Sequence, residues 1–244
     1  MIKIKFFLIV FLATCYTGIN AQKVIVWFDA GLKVQAGPAG LYNQAVVDDN
    51  NVDYAISSGL AYGGKFGVNF GYNAMTIDVM LNNAKAEFQH QDFVGDTEVE
   101  TKSIDLYLLY RNEKNLSYFE IGPKYSLLRD ATRRQITDGV SSDPVDVSDN
   151  YKNGLGAVLG FGVNLIGTDG SFSGKLGLRF EYGFTDIVSE AGKIANAPIE
   201  GNFTYADGYK GSHPVFAGVV FEMNWGIGYY GVTKCGGRKK FFFL

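Results

Sequence analysis

His90 and His213 are the only two histidines in the 244 residues, and Ser212 directly precedes the second. An imidazole beside a hydroxyl is the start of a nucleophilic device: the ring takes the proton, the oxygen attacks, and a third group orients the ring. Nothing in the sequence shows that His213 meets a usable serine. Adjacent residues on a strand point to opposite faces, so a strand here would separate Ser212 from His213. A solvent-exposed histidine is the simpler reading of both positions, and no catalytic residue is assigned.

Two acidic runs come next, Asp48-Asp49-Asn50-Asn51-Val52-Asp53 and Asp143-Pro144-Val145-Asp146-Val147-Ser148-Asp149-Asn150. They offer the oxygen donors that Ca²⁺ prefers, but neither has the glycine and distal glutamate of an EF-hand loop. A solvated loop is the plainer reading. Asp143, Asp146 and Asp149 stand as candidate loop ligand-binding residues, with no metal and no cofactor expected. Tyr42, Tyr151, Phe203, Tyr205 and Tyr209 lend the loops an aromatic character suited to contact with a ligand or partner, without identifying one.

Composition narrows the class of object. Lys+Arg 22 against Asp+Glu 25 leaves a net charge of -3, so no basic surface points to nucleic acid. At 47% hydrophobic and 19% charged the chain can bury a core, which excludes disorder. Gly 31, Tyr 15 and Phe 19 beside Pro 5 point to many strands and tight turns.

The N-terminus reads as an address. Lys3 and Lys5 precede the apolar run from Phe6 to Ala13, and small and polar residues lead to Ala21 before Gln22. This is the layout of a cleaved secretory signal. The run is short of the roughly 20 residues that a transmembrane helix needs. Cleavage after Ala21 would remove the two lysines and take the charge from -3 to -3 - 2 = -5. A rival reading makes Leu12-Ala13-Thr14-Cys15 a lipoprotein box, for which Thr14 is a poor fit. With Cys15 removed, Cys235 alone has no partner for an internal disulfide.

The rest of the chain alternates in twos. In the segment 215–229 Val215, Ala217, Val219, Phe221, Met223, Trp225, Ile227 and Tyr229 alternate with Gly218, Glu222, Asn224, Gly226 and Gly228. Residues 154–165 and 175–185 do the same. One face stays apolar while the other carries glycine, asparagine and charge, a poor lining for a globular core. Strands with lipid outside and a crowded polar lumen inside need this inversion. A closed ring also leaves no unpaired sheet edge in the bilayer. A β-sandwich that buries its apolar face against a second sheet is the alternative.

The expected fold is all-β, an eight-stranded antiparallel up-and-down transmembrane β-barrel. Residues 1–21 are the signal peptide, 22–230 the barrel and 231–244 a C-terminal tail. Strands are expected near 24–36, 54–71, 75–90, 98–111, 116–128, 154–166, 174–187 and 214–230, with a further turn at Gly63-Gly64-Lys65 as the alternative reading of 54–90. Short turns at 71–74, 112–115 and 167–171 alternate with longer loops at 37–53, 91–97, 129–153 and 188–213, as short periplasmic turns and long external loops do. Pro123 cannot donate to a ladder, which implies a local bulge or kink.

Eight strands leave space only for side chains. The inward register gives Asp29, Lys33, Asp78, Asp105, Arg111, Glu120, Lys124, Arg179, Glu181 and Glu222. Charges of both signs in a poorly hydrated bore must pair, since an isolated buried ion costs several kcal/mol. A salt-bridge plug is the plain reading, and a narrow ion path in which the pairs rearrange is the sharper one.

On the signal ending Ala21-Gln22, the glycine-rich strands and the stretch Phe119-Glu120-Ile121-Gly122-Pro123-Lys124-Tyr125, the chain resembles small outer-membrane barrels of the Bacteroidota, the PorT-like β-barrel family. That resemblance implies a location in the cell outer membrane of a Gram-negative envelope and a barrel fold, and carries over no catalytic residue. The function expected is a non-enzymatic integral barrel with a structural or loop-binding role, in contact with outer-membrane lipid. A lipid A-modifying or proteolytic barrel with a rim histidine, a narrow channel, and a secretion-machinery component are the alternatives. The tail departs from the usual terminal aromatic: Tyr229-Tyr230 fits that place, yet the chain runs on through Arg238-Lys239-Lys240 to Phe241-Phe242-Phe243-Leu244.

Overall fold

A computed structural model describes residues 26–55, 57–90, 95–167, 171–200, 205, 208–232 and 239–243. The expected signal segment with Cys15, and also Phe203 and Cys235, lie outside the described residues. The strands are β1 (Val26–Asn43), β2 (Val52–Ala55), β3 (Ser57–Phe70), β4 (Asn73–His90), β5 (Asp96–Lys114), β6 (Ser117–Thr137), β7 (Val140–Ser141), β8 (Val145–Asp146), β9 (Gly154–Ile166), β10 (Phe172–Gly183), β11 (Ser212–Val232) and β12 (Lys239–Phe243). Two short helices, α1 (Gln44–Val47) and α2 (Glu190–Ile194), lie in the long loops.

Eight strands pair antiparallel in the order β1-β3-β4-β5-β6-β9-β10-β11, and β11 returns to β1, which closes the ring. The chain is an eight-stranded up-and-down transmembrane barrel. No described helix is long and apolar enough to cross a membrane, so the crossing is made by strands. Their outward rows are apolar: Leu60, Tyr62 and Phe66 on β3, Ile77, Val79 and Leu81 on β4, Leu106, Leu108 and Tyr110 on β5, Leu176, Leu178 and Phe180 on β10, each 37–56% exposed. In water so many large apolar side chains would form an aggregation surface; around a ring they form the lipid-facing band. Rings meet across strands within it: Phe161 stacks on Phe180 at 6.0 Å, and Phe172 meets Trp225 tilted, at 5.7 Å.

The strands outrun the apolar band at one end. β1 continues to Asn43 and β6 to Thr137, where the sequence pattern ends them near 36 and 128. There the outward row becomes charged, with Lys85 3.1 Å from Glu98 and Lys102 3.0 Å from Asp130. Once both faces meet water the apolar–polar alternation fades while the hydrogen-bond ladder goes on. β10 conversely stops at Gly183, short of the expected 187, and Val52–Ala55 form a strand of their own on β4.

Two local expectations are corrected. No turn forms at Gly63-Gly64-Lys65: β3 is continuous, pairing Lys33 with Gly63 and Lys65 with Asp78. Pro123 does not bulge β6. Its ladder with β5 breaks between Tyr107–Lys124 and Tyr110–Ile121 and resumes in the same register, and the bulge in that pairing sits at Arg129. The missing N–H is absorbed as a gap in the ladder.

The long-loop end is capped. Val46, Phe88, Val99, Ala131, Val188 and Ile199 form one buried apolar cluster together with Tyr151 and Tyr205. Tyr205 donates its hydroxyl to the Ala197 carbonyl at 2.8 Å, and Arg133 reaches Glu200 at 3.3 Å. Tyr151 and Tyr205, expected as loop aromatics for contact, are turned into this cap at 5% and 6% exposure. At the opposite end β12 pairs with Gly228–Val232 of β11, in the lane that β10 leaves past Phe172.

Candidate functional site

The inner face is built from alternating bulk and absence. Glu120 on β6 and Arg179 on β10 both pair with Gly160 of the intervening β9, and Arg179 pairs on its other side with Gly218. Lys33 lies between Glu222 of β11 and Gly63 of β3. A Cβ on Gly160 would come within 2.7 Å of Glu120 Cγ, and one on Gly63 within 2.0 Å of the Val79 carbonyl oxygen. Gly160 is therefore space that the Glu120 side chain occupies, while Gly63 lets the backbone of β4 come close.

Those side chains close the bore with ion pairs. Arg111 forms a two-pronged contact with Glu222, both prongs 2.7 Å, and reaches Glu120 at 2.7 Å. Arg179 meets Glu120 at 2.6 Å, Asp78 at 3.5 Å and the side-chain Oε1 of Gln35 at 3.0 Å. Lys33 pairs with Asp78 and lies 3.1 Å from Glu222. Lys65 joins Glu222 at 2.7 Å and faces Asp29 at 3.6 Å. One layer away Lys124 bridges Asp105 at 2.7 Å and Glu181 at 2.6 Å, with the Tyr107 hydroxyl 3.2 Å from Glu181.

Lys33, Asp78, Arg111, Glu120, Arg179 and Glu222 are all at most 1% exposed. Asp29, Asp105, Lys124 and Glu181 also point inward, so every side chain placed inward from sequence lies in the bore. Lys65 was missed because its flanking glycines read as a turn. Its parity with Ala61 and Gly67 was the available signal. Lys175 and Glu113, which pair with one another, were also missed, Glu113 having been placed in a turn.

Two spaces flank this plug. A chamber of about 80 Å³ lies between the plug and the cap, bounded by Gln35, Lys124 and Glu181 below and by Leu41, Val99 and Leu128. A larger vestibule of about 570 Å³ opens at the short-turn end, against Trp27, Asp29, Tyr72, Glu113, Asn164 and Lys175.

The other sequence candidates do not converge. His213 places Nδ1 3.0 Å from the Gly183 carbonyl and stacks on Tyr182 at 5.8 Å, whereas the Ser212 hydroxyl is buried and accepts from Asn43 at 2.9 Å. Base and hydroxyl are on opposite faces of β11. His90 ends β4. Asp146 accepts from the backbone and hydroxyl of Ser148 at 2.9 and 2.7 Å, bonds that hold its carboxyl below the usual range. Asp143 lies exposed beside it, and Asp149 offers its backbone carbonyl to Ser189 at 2.6 Å. Among the described residues no three histidine, cysteine or acidic side chains are grouped to hold a metal ion.

Among solved structures the chain is similar to Neisserial surface protein A (NspA), at 9% identity over 82% of this chain and 96% of that one, with a TM-score of 0.37. It is also similar to an acetoacetate decarboxylase-like enzyme from Sphingomonas wittichii RW1, at 12% identity over 91% and 94%, with a TM-score of 0.16. Neither superposition is close enough to carry an argument. No curated protein matches the chain. A family model described as outer membrane protein beta-barrel domain matches residues 11–189, from the N-terminal apolar run to the long loop before β11. With an apolar belt, a closed ring and a charged bore already in place, that match is decisive: the chain belongs to the outer membrane protein beta-barrel domain family.

Proposed function

We propose that this protein is a closed, non-enzymatic outer-membrane barrel with a structural or binding role at its long-loop end, exported by a signal peptide cleaved after Ala21. The observation that carries the reading is the Arg111–Glu222–Lys33 cluster, which fills the bore with side chains at most 1% exposed. A solute would have to break a two-pronged pair and leave its members unanswered in a poorly hydrated space, a loss of about 3–5 kcal/mol. The separation of His213 from the Ser212 hydroxyl supports the non-enzymatic part. In this reading the capped loops face outward, the short turns face the periplasm, and the surrounding partners are outer-membrane lipid and an external ligand or envelope protein. The Phe119–Tyr125 stretch supports a finer affiliation with the PorT-like barrels of the Bacteroidota.

The test is reconstitution in planar bilayers. Wild type is expected to give no discrete conductance steps, and Arg111→Ala with Lys33→Ala to give them. Reproducible steps from wild type would overturn the plugged reading. Changed lipid A on expression, lost in His213→Ala, would overturn the non-enzymatic one.

A further inference from the structure

The vestibule at the short-turn end encloses about 570 Å³, within the roughly 300–1,000 Å³ that small-molecule sites occupy. Three charged residues line it, Asp29, Glu113 and Lys175. Lys175 is taken by Glu113, so Asp29 must be answered from deeper in the bore. Its ion pair is with Lys65 at 3.6 Å, but Lys65 lies nearer to Glu222, at 2.7 Å, and also donates to Asn224 at 2.9 Å. Asp29 Oδ1 packs against Gly67, enclosed and without a donor. The inner end of the vestibule therefore carries a negative charge that the protein answers only in part.

The wall between that charge and the mouth is aromatic. β1 pairs Trp27 with Tyr229 of β11 and runs without a bulge against β3, so Trp27 and Asp29 share the inner face one rung apart, about 7 Å. Tyr72 stands at the mouth, 65% exposed. A cation entering here meets two attractions: the field of the carboxylate, screened less than in bulk water, and ring faces that hold an ammonium within about 6 Å. The charge acts across space, so the enclosed Oδ1 need not be touched. A metal ion would require a shell of oxygen ligands. Among the described residues no three histidine, cysteine or acidic side chains are grouped to supply one. We propose that the short-turn vestibule binds an organic ammonium ion, its charge facing Asp29 and its carbon lying on Trp27, Tyr229 and Tyr72. The inference rests on the vestibule alone and does not depend on whether the bore conducts.

Trp27 supplies the readout. The chain has two tryptophans and Trp225 lies on the outer face, so Trp225→Phe leaves Trp27 as sole reporter. The barrel is refolded in an uncharged polyoxyethylene ether detergent and titrated with butylammonium, with sodium chloride holding the ionic strength constant. A saturable change in Trp27 emission is expected, with a dissociation constant of about 1 mM. Asp29→Asn should weaken binding about 5-fold or more. Tyr72→Ala, in an exposed turn outside the ladder, should weaken it about 3-fold. Both variants should keep the heat-dependent gel shift, and if Asp29→Asn does not fold, Tyr72→Ala decides. Tighter binding of spermidine would mark a free polyamine as the source, and tighter binding of phosphoethanolamine a lipid headgroup. The proposal is overturned if butylammonium gives no saturable change, or if uncharged butanol gives the same one. Displacement by potassium or magnesium ions at equal concentration would also overturn it, as would a folded variant that binds like wild type.

Discussion

Glu120 and Arg179 meet at 2.6 Å although strand β9 runs between the strands that carry them. They touch because the residue of β9 opposite both is Gly160, whose missing side chain is the space they share. Ion pair and glycine form one structural unit, and the stability of this barrel is decided by such units.

Gly160→Ala should therefore destabilise. Its Cβ would press within 2.7 Å of Glu120 Cγ, in a side chain locked by two arginines. A loss of about 1–3 kcal/mol is expected in urea unfolding from lipid vesicles. Gly64→Ala on the outward row is the control, since the atom nearest its Cβ would be the Gly31 carbonyl oxygen 3.9 Å away, and it should leave the midpoint unchanged or raised. Equal effects would mean that the inner row is not close-packed.

Removing one partner of the buried pair should be worse than removing both. Arg179→Ala leaves Glu120 and Asp78 facing a void, for a loss of about 3–5 kcal/mol. Arg179→Met together with Glu120→Leu replaces the pair by apolar bulk and should recover much of that loss, because the paired charges also escape desolvation. A double variant weaker than the single would show that the charges contribute net stability.

Tyr54 lies above the apolar band, with its hydroxyl 3.2 Å from the Asn43 carbonyl, and burial pushes it up to about 12. Its proton is held more tightly in the folded chain. The contribution is complete below the ordinary tyrosine value near 10 and is lost as pH rises from there to about 12. Tyrosinate absorbance of wild type minus Tyr54→Phe should show one group titrating late, and a difference centred near 10 would contradict the packing at Asn43.

Proteolysis of intact cells should read the cap. Residues 138–146 are mostly exposed, while Val147, Tyr151 and Val188 are buried in the apolar cluster. An added broad-specificity protease should cut first within 138–146. First cuts at the turns around Gly71 or Asn115 would reverse the orientation.

The ring and its register were legible because a bilayer outside and a charged bore inside impose opposite chemistry on alternate residues. That is why Arg179, Glu222 and Lys33 could be placed inward from sequence. What escaped had local physical reasons. Lys65 hid behind Gly63-Gly64, a pair that reads as a turn; here Gly63 lets the backbone of β4 come close and Gly64 sits on the open outward row. The ends of β1 and β6 hid because the alternation needs lipid on one face, and those ends stand in water. The cap was illegible because its apolar residues, Val46, Val188 and Ile199 among them, are scattered over loops with no period.

Glu222 sits on the last strand of the ring, yet it answers Lys33 on β1, Lys65 on β3 and Arg111 on β5. During assembly those three cations have Asp78, Asp29 and Glu120 as first partners, and the carboxylate they share is made some hundred residues or more later in the chain. A barrel lacking β11 would hold an open seam and an incompletely answered Arg111 at the same time. Closure of the seam and neutralisation of the bore are then one event, so the ring should insert as a cooperative whole, and a truncated chain should be recognised as unfinished by its charge alone.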